Sequence, residues 1–220
     1  MVFPEVNPES KVPIFANYCI DYRYDSLSSD FFKKNGYANS YYLATAAGAA
    51  LCLGYKDYCK KDCCACSCSH SKSPTYCKSC PENESLNKLK KSIVTNLNIA
   101  LTLADITEVY FLNHQDCGAI RAFLSCSGYP GKGEIEIVAK QKEICINAKL
   151  LTYANKYFKQ KFKNKIPNMT INLGLIDSNG TVANYNIEEK LWTIISIGEG
   201  TNTDALWYGY KEGATINFKC

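Results

Sequence analysis

Two histidines and thirteen cysteines stand in 220 residues, and His114 is followed three positions later by Cys117 in the run NHQDCGA. That run comes directly after an apolar stretch, VYFL at 109–112. On a strand-to-helix turn, an imidazole and a thiolate with this spacing can reach one metal ion together. A His-x-x-Cys pair by itself marks structural residues more often than ligands. The balance shifts with a second run, CIDYR at 19–23. In extended chain, residues two apart point the same way about 6.6 Å apart, so Cys19, Asp21 and Arg23 are expected to face one cleft. Two thiolates and one imidazole leave a tetrahedral zinc with an open fourth position, the arrangement of catalytic rather than structural sites. An open zinc lowers the pKa of its bound water to about 7. Asp21 is placed to accept a hydrogen bond from the resulting hydroxide, and Arg23 to hold Asp21 ionised and oriented. Two other readings stand beside this one. Asp21 and Arg23 form a structural ion pair, or Asp21 itself fills the fourth position and closes the site.

Several elements must bring these residues together. The run VPIFANYCI at 12–20 reads as a buried strand. A short helix follows over 25–36, closed by Gly36. Residues 41–48 read as a central strand whose Ala46, Ala47 and Gly48 leave room for a close approach. Leu89, Ile93, Leu97, Leu101 and Ala104 recur at helical spacing, so 86–104 is an amphipathic helix, with a strand after it at 109–112. Ile137, Ile144, Ala148, Leu151 and Phe158 mark a long helix over 134–163. Met169, Ile171, Leu173 and Leu175 alternate as a strand does, and the turn at 177–180 leads into a further strand at 181–185. Strands alternating with helices imply an α/β fold, a mostly parallel central sheet with helices on both faces. Chemistry in such folds gathers at the carboxyl ends of strands, where Cys19 and His114 fall. The expected domain covers 1–190, and the aromatic and glycine-rich residues 191–220 form a β-containing extension packed on it.

The pattern is interrupted by an insertion at 54–91, within which seven of the 22 residues from Cys59 to Cys80 are cysteine. Cys77 and Cys80 have the two-residue gap of a zinc knuckle. Cys59, Cys63, Cys64, Cys66, Cys68 and His70 supply further ligands, enough for one or two additional zinc ions. A structural zinc is worth on the order of 10 kcal/mol to a segment with so few apolar residues. Disulfides and a disordered loop are the rival readings, and a redox or metal-buffering role is a further functional class that this cluster suggests.

The chain has 46% hydrophobic and 21% charged residues and a net charge of +4, ordinary for a folded domain. No long run of one sign implies nucleic acid. The lysines at 156–165 alternate with Tyr157, Phe158 and Phe162, as on a solvated helix with one buried stripe. The opening MVFPEVNPESKVP lacks the basic flank and apolar core of a signal peptide, and the longest apolar run is too short for a bilayer. The expectation is an intracellular, cytoplasmic protein with no membrane partner, its cysteines read first as thiols and ligands and second as disulfides.

Cys-x-Asp-x-Arg on one strand end and His-x-x-Cys-Gly on another resemble the signature of the β-class carbonic anhydrases. The likeness extends to the AAG turn at 46–48, the helix before VYFLNHQDCGA and the stretch NLGLIDSNGTVANY. CIDYR, AAGAAL and NHQDCGA together are most similar to a divergent branch of that family. The resemblance implies one catalytic zinc on Cys19, His114 and Cys117, with Asp21 and Arg23 controlling its fourth position. It implies a pocket at Ala47, Gly48 and Gly118, reversible hydration of carbon dioxide to bicarbonate, and a homodimer. Hydrolysis of carbon disulfide or carbonyl sulfide and a non-catalytic zinc protein are the alternatives on the same fold.

Overall fold

All five residues of β1 (Ile14–Tyr18) are buried, as a strand covered on both faces requires. Ile14, Ala16 and Tyr18 pack with Tyr24, Phe31 and Phe32 of helix α1 (Tyr22–Lys34) on one face. Phe15 and Cys19 face the larger core on the other. The structure, a computed structural model, describes residues 13–38, 40–61, 84–124, 136–218 and 220.

After β1 and α1 come β2 (Tyr41–Thr45), α2 (Leu51–Lys61), α3 (Glu84–Leu103), β3 (Glu108–His114), α4 (Gly118–Leu124) and α5 (Glu136–Phe162). Strands β4 (Thr170–Ile176), β5 (Val182–Asn186), β6 (Leu191–Ser196) and β7 (Thr215–Ile216) follow. They form one α/β sheet of seven strands in the order β2-β1-β3-β4-β5-β6-β7. Leu51, Ile93, Leu97, Leu150 and Phe158 from α2, α3 and α5 fill the face opposite α1, with Phe158 edge-on to Phe111 of β3 at 4.9 Å.

The expectation of a mostly parallel sheet is corrected to a mixed one. β2, β1, β3 and β4 run parallel, and β5, β6 and β7 run antiparallel to their neighbours. The reversal is made by the turn after β4. There Asp177 Oδ1 accepts hydrogen bonds from Asn179 N at 2.9 Å and Thr181 N at 3.0 Å, and Gly180 takes a φ of +82° that a side chain would strain. The strand read as central, β2, lies at the edge, because the crossover through α1 places it outside β1. Residues 191–220 contribute β6 and β7 to the same sheet.

The two ends of the stretch expected as an insertion, 54–91, are helical. Residues 54–61 belong to α2 and 84–91 to α3, and both helices pack on the core. Cys59 is half-buried on α2 against that core. Cys63, Cys64, Cys66, Cys68, His70, Cys77 and Cys80 lie outside the described residues. The thiol-first reading does not hold for Cys145 of α5 and Cys220, which form a disulfide across 75 residues. Among the described residues no helix is long and apolar enough to cross a membrane.

Gly54 shows why α2 and α5 sit so close. A Cβ there would lie 2.4 Å from the Leu150 carbonyl oxygen, a backbone atom that cannot step aside. Gly54→Ala is therefore expected to cost about 1–3 kcal/mol, as overpacking does, and to lower the urea midpoint. An unchanged midpoint would show slack between the two helices.

Candidate metal centre

β1 and β3 are adjacent and parallel, so their carboxyl ends place Cys19 and His114 side by side. Cys117 follows two turn residues later, immediately before α4, where the Ala119 and Ile120 amides donate to its sulfur. The ligand atoms of Cys19, His114 and Cys117 lie within 4.8 Å of one another, and all three residues are buried. They can hold a metal ion, and they are the one such group of three among the described residues.

The imidazole is committed to this arrangement. His114 Nδ1 is 2.7 Å from the Gln115 carbonyl oxygen, which can only accept, so Nδ1 carries the proton and Nε2 presents its lone pair. Nε2 is buried and has no hydrogen-bond partner among the described residues. An orphaned buried polar atom costs roughly 1–3 kcal/mol, a penalty that a metal ion removes. The Tyr24 ring lies against the imidazole at 4.2 Å between centroids and fixes its plane.

The two thiols are coupled. A hydrogen bond with Cys117 is the main cause holding Cys19 well below the ordinary thiol value, helped by the Gly48 amide, which lies 3.2 Å from Cys19 Sγ. The same bond, with burial, pushes Cys117 up. A metal ion would take both as thiolates.

Asp21 and Arg23 come together by a route other than strand alternation. β1 ends at Tyr18 and helix α1 begins at Tyr22, earlier than expected, with Asp21 as its N-cap accepting from Arg23 N at 3.1 Å. Arg23 then reaches back from the first turn of the helix. Its Nε donates to Asp21 Oδ1 at 3.0 Å and its Nη2 to Oδ2 at 2.6 Å. Those bonds hold the Asp21 carboxyl down to about 2. Asp21 Oδ2 is 3.9 Å from His114 Nε2, beside the three ligand atoms.

Of the residues expected to line a pocket, Gly48 has a φ of +75° and its amide turned to Cys19. Ala47 is half-buried in the same turn, and Gly118 opens α4, where an added Cβ would meet nothing within 4 Å. Sequence reasoning missed the residues that hold these turns. Asn113 accepts from Ala50 N at 3.1 Å and donates to Asn147 Oδ1 at 2.8 Å, tying the turn at 46–50 to α5. Gln115 accepts from Ser178 N and Leu206 N and donates to the Asp204 carbonyl. One signal was present: Glu143 and Asn147 are polar residues one helical turn apart beside an apolar stripe, and both are buried.

Comparison with protein-family models, with curated proteins and with solved structures gives no match.

Proposed function

We propose that this chain is a β-carbonic anhydrase-like zinc lyase that reversibly hydrates carbon dioxide to bicarbonate. In this reading Cys19, His114 and Cys117 hold the zinc, and Asp21 and Arg23 govern the position beside it. The observation that carries the proposal is the orphaned His114 Nε2, buried between two cysteine sulfurs with an arginine-bound carboxylate 3.9 Å away.

Two sulfurs and an imidazole suit zinc, whose tetrahedral bonds of about 2.0–2.3 Å set ligand atoms about 3.5–3.8 Å apart, within the span of this cluster. Bound zinc supplies Lewis acidity that makes hydroxide available near neutral pH. Asp21 stays anionic and accepts a hydrogen bond from an incoming hydroxyl, which orients it. Arg23 occupies both Asp21 oxygens and so draws the carboxylate away from the ligand atoms. A homodimer belongs to the same reading, since β2 ends the sheet among the described residues and Leu43 on it is exposed.

Metal analysis with a stopped-flow carbon dioxide hydration assay tests the proposal. The expected result is zinc in the purified protein and hydration that accelerates as pH rises through neutrality. Zinc-loaded protein with no hydration at any pH would overturn the lyase and leave a non-catalytic metal protein.

A further inference from the structure

Arg23 does more than bind Asp21. Its guanidinium also spans to the turn between His114 and Cys117. Nη1 donates to Asp116 Oδ2 at 3.4 Å and Nη2 to the Asp116 carbonyl at 3.3 Å. Asp116 is itself fixed from three directions. Its other carboxylate oxygen accepts from Arg121 of α4, its amide donates to the buried Glu143 carboxylate of α5, and its φ is +55°, in the left-handed region. Asp and Asn are among the few residues that adopt that conformation at modest cost.

The geometry points to Asp116 as a positioning residue: by anchoring the outer edge of the Arg23 guanidinium, it keeps Arg23 on Asp21 and so keeps the Asp21 carboxylate off the metal's remaining position. The role rests on the proposed open metal site. A planar guanidinium has fixed donor directions, so gripping one edge sets where the other edge points. Asp21 lies on the chain leaving β1 and Asp116 on the chain leaving β3, so the guanidinium bridges the two segments that carry the ligands. With Asp116 neutral, that second anchor weakens. Asp21, 3.9 Å from His114 Nε2, is then freer to turn toward the ion.

The test uses the full chain loaded with cobalt(II), whose visible absorption reports its ligands, and azide as a small anionic probe of the remaining position. Asp116→Asn keeps a residue tolerant of the left-handed backbone and removes the charge. It is expected to weaken azide binding about tenfold and alter the cobalt absorption, while Asp116→Asn with Asp21→Asn restores azide affinity. A merely structural role would lower metal content or stability and would not be rescued at Asp21. Azide affinity unchanged in Asp116→Asn, or a loss that Asp21→Asn fails to restore, would overturn the assignment. The hydration reading fails separately: azide binding and its rescue behave as stated, yet the zinc protein does not hydrate carbon dioxide. Wild-type cobalt protein that does not bind azide would overturn both.

Discussion

Cys19→Ser and His114→Ala proteins are expected to lose about one zinc per chain relative to wild type, together with a large part of the folding stability. Both effects follow from burial. The two sulfurs and the imidazole nitrogen are enclosed, and Nε2 has no partner among the described groups, so a bound ion would satisfy the site. Removing one ligand leaves the others buried and poorly paired. His114→Ala also empties the space against Tyr24 and removes the contact to the Gln115 carbonyl. In a chain of this size each kcal/mol shifts the melting temperature by about 2–4 °C, so several kcal/mol lower it by on the order of 10 °C. Metal analysis and thermal melts with and without a chelator check this. A wild-type protein that is stably folded with no metal, and indifferent to chelator, would remove the basis of the site.

The second large effect separates chemistry from metal binding. Asp21→Asn and Arg23→Ala are expected to keep the metal, because neither residue is among the three convergent ligands, and to lower hydration by about 10²–10⁴-fold. The pH dependence sharpens the test. Arg23 is the main cause holding the Asp21 carboxyl at about 2, below its ordinary 3.8. The folded value is the lower one, so the stability from this pair is fully present above about 3.8 and is lost as pH falls through about 2. A rise in activity near neutral pH therefore cannot be Asp21 losing its proton. The apparent pKa of that rise should persist at a reduced plateau in Asp21→Asn. An undiminished rate in both variants would show that another group controls the position beside the metal.

The convergence of Cys19, His114 and Cys117 was legible because their chemistry is local: a thiol ending one apolar run, and an imidazole and a thiol just past another. The sheet's parallel half followed from the alternation of apolar strands and periodic helices. Its antiparallel half was only hinted at by the turn at 177–180, since the sequence between strands does not state which neighbour a strand joins. The edge position of β2 was hidden for the same reason.

Helix α2 was obscured by composition. Leu51, Tyr55, Tyr58 and Cys59 have helical spacing, but the cysteines that follow made residues from 54 onward look like the start of an insertion. The structure shows that the glycine is required by a helix nearly a hundred residues later. Asp21 was assigned its neighbours correctly through the wrong geometry, although an aspartate just before Tyr22 with Asp25 in the next turn is a helix-start signal. Asn113, Gln115 and Asp116 were beyond reach, because most of the partners described for them lie from 27 to 93 residues away.

That separation has a bearing on how the protein is made. Chains leave the ribosome amino end first, so Cys19, His114 and Cys117 are all exposed before Asp204 and Leu206, which hold Gln115 behind the histidine, have been added. A nascent chain thus possesses all three residues of the candidate site while the turn that carries two of them is still without its later supports. On the proposed reading, an ion could be captured by the half-made protein, and locking it in place would wait for the residues that arrive last.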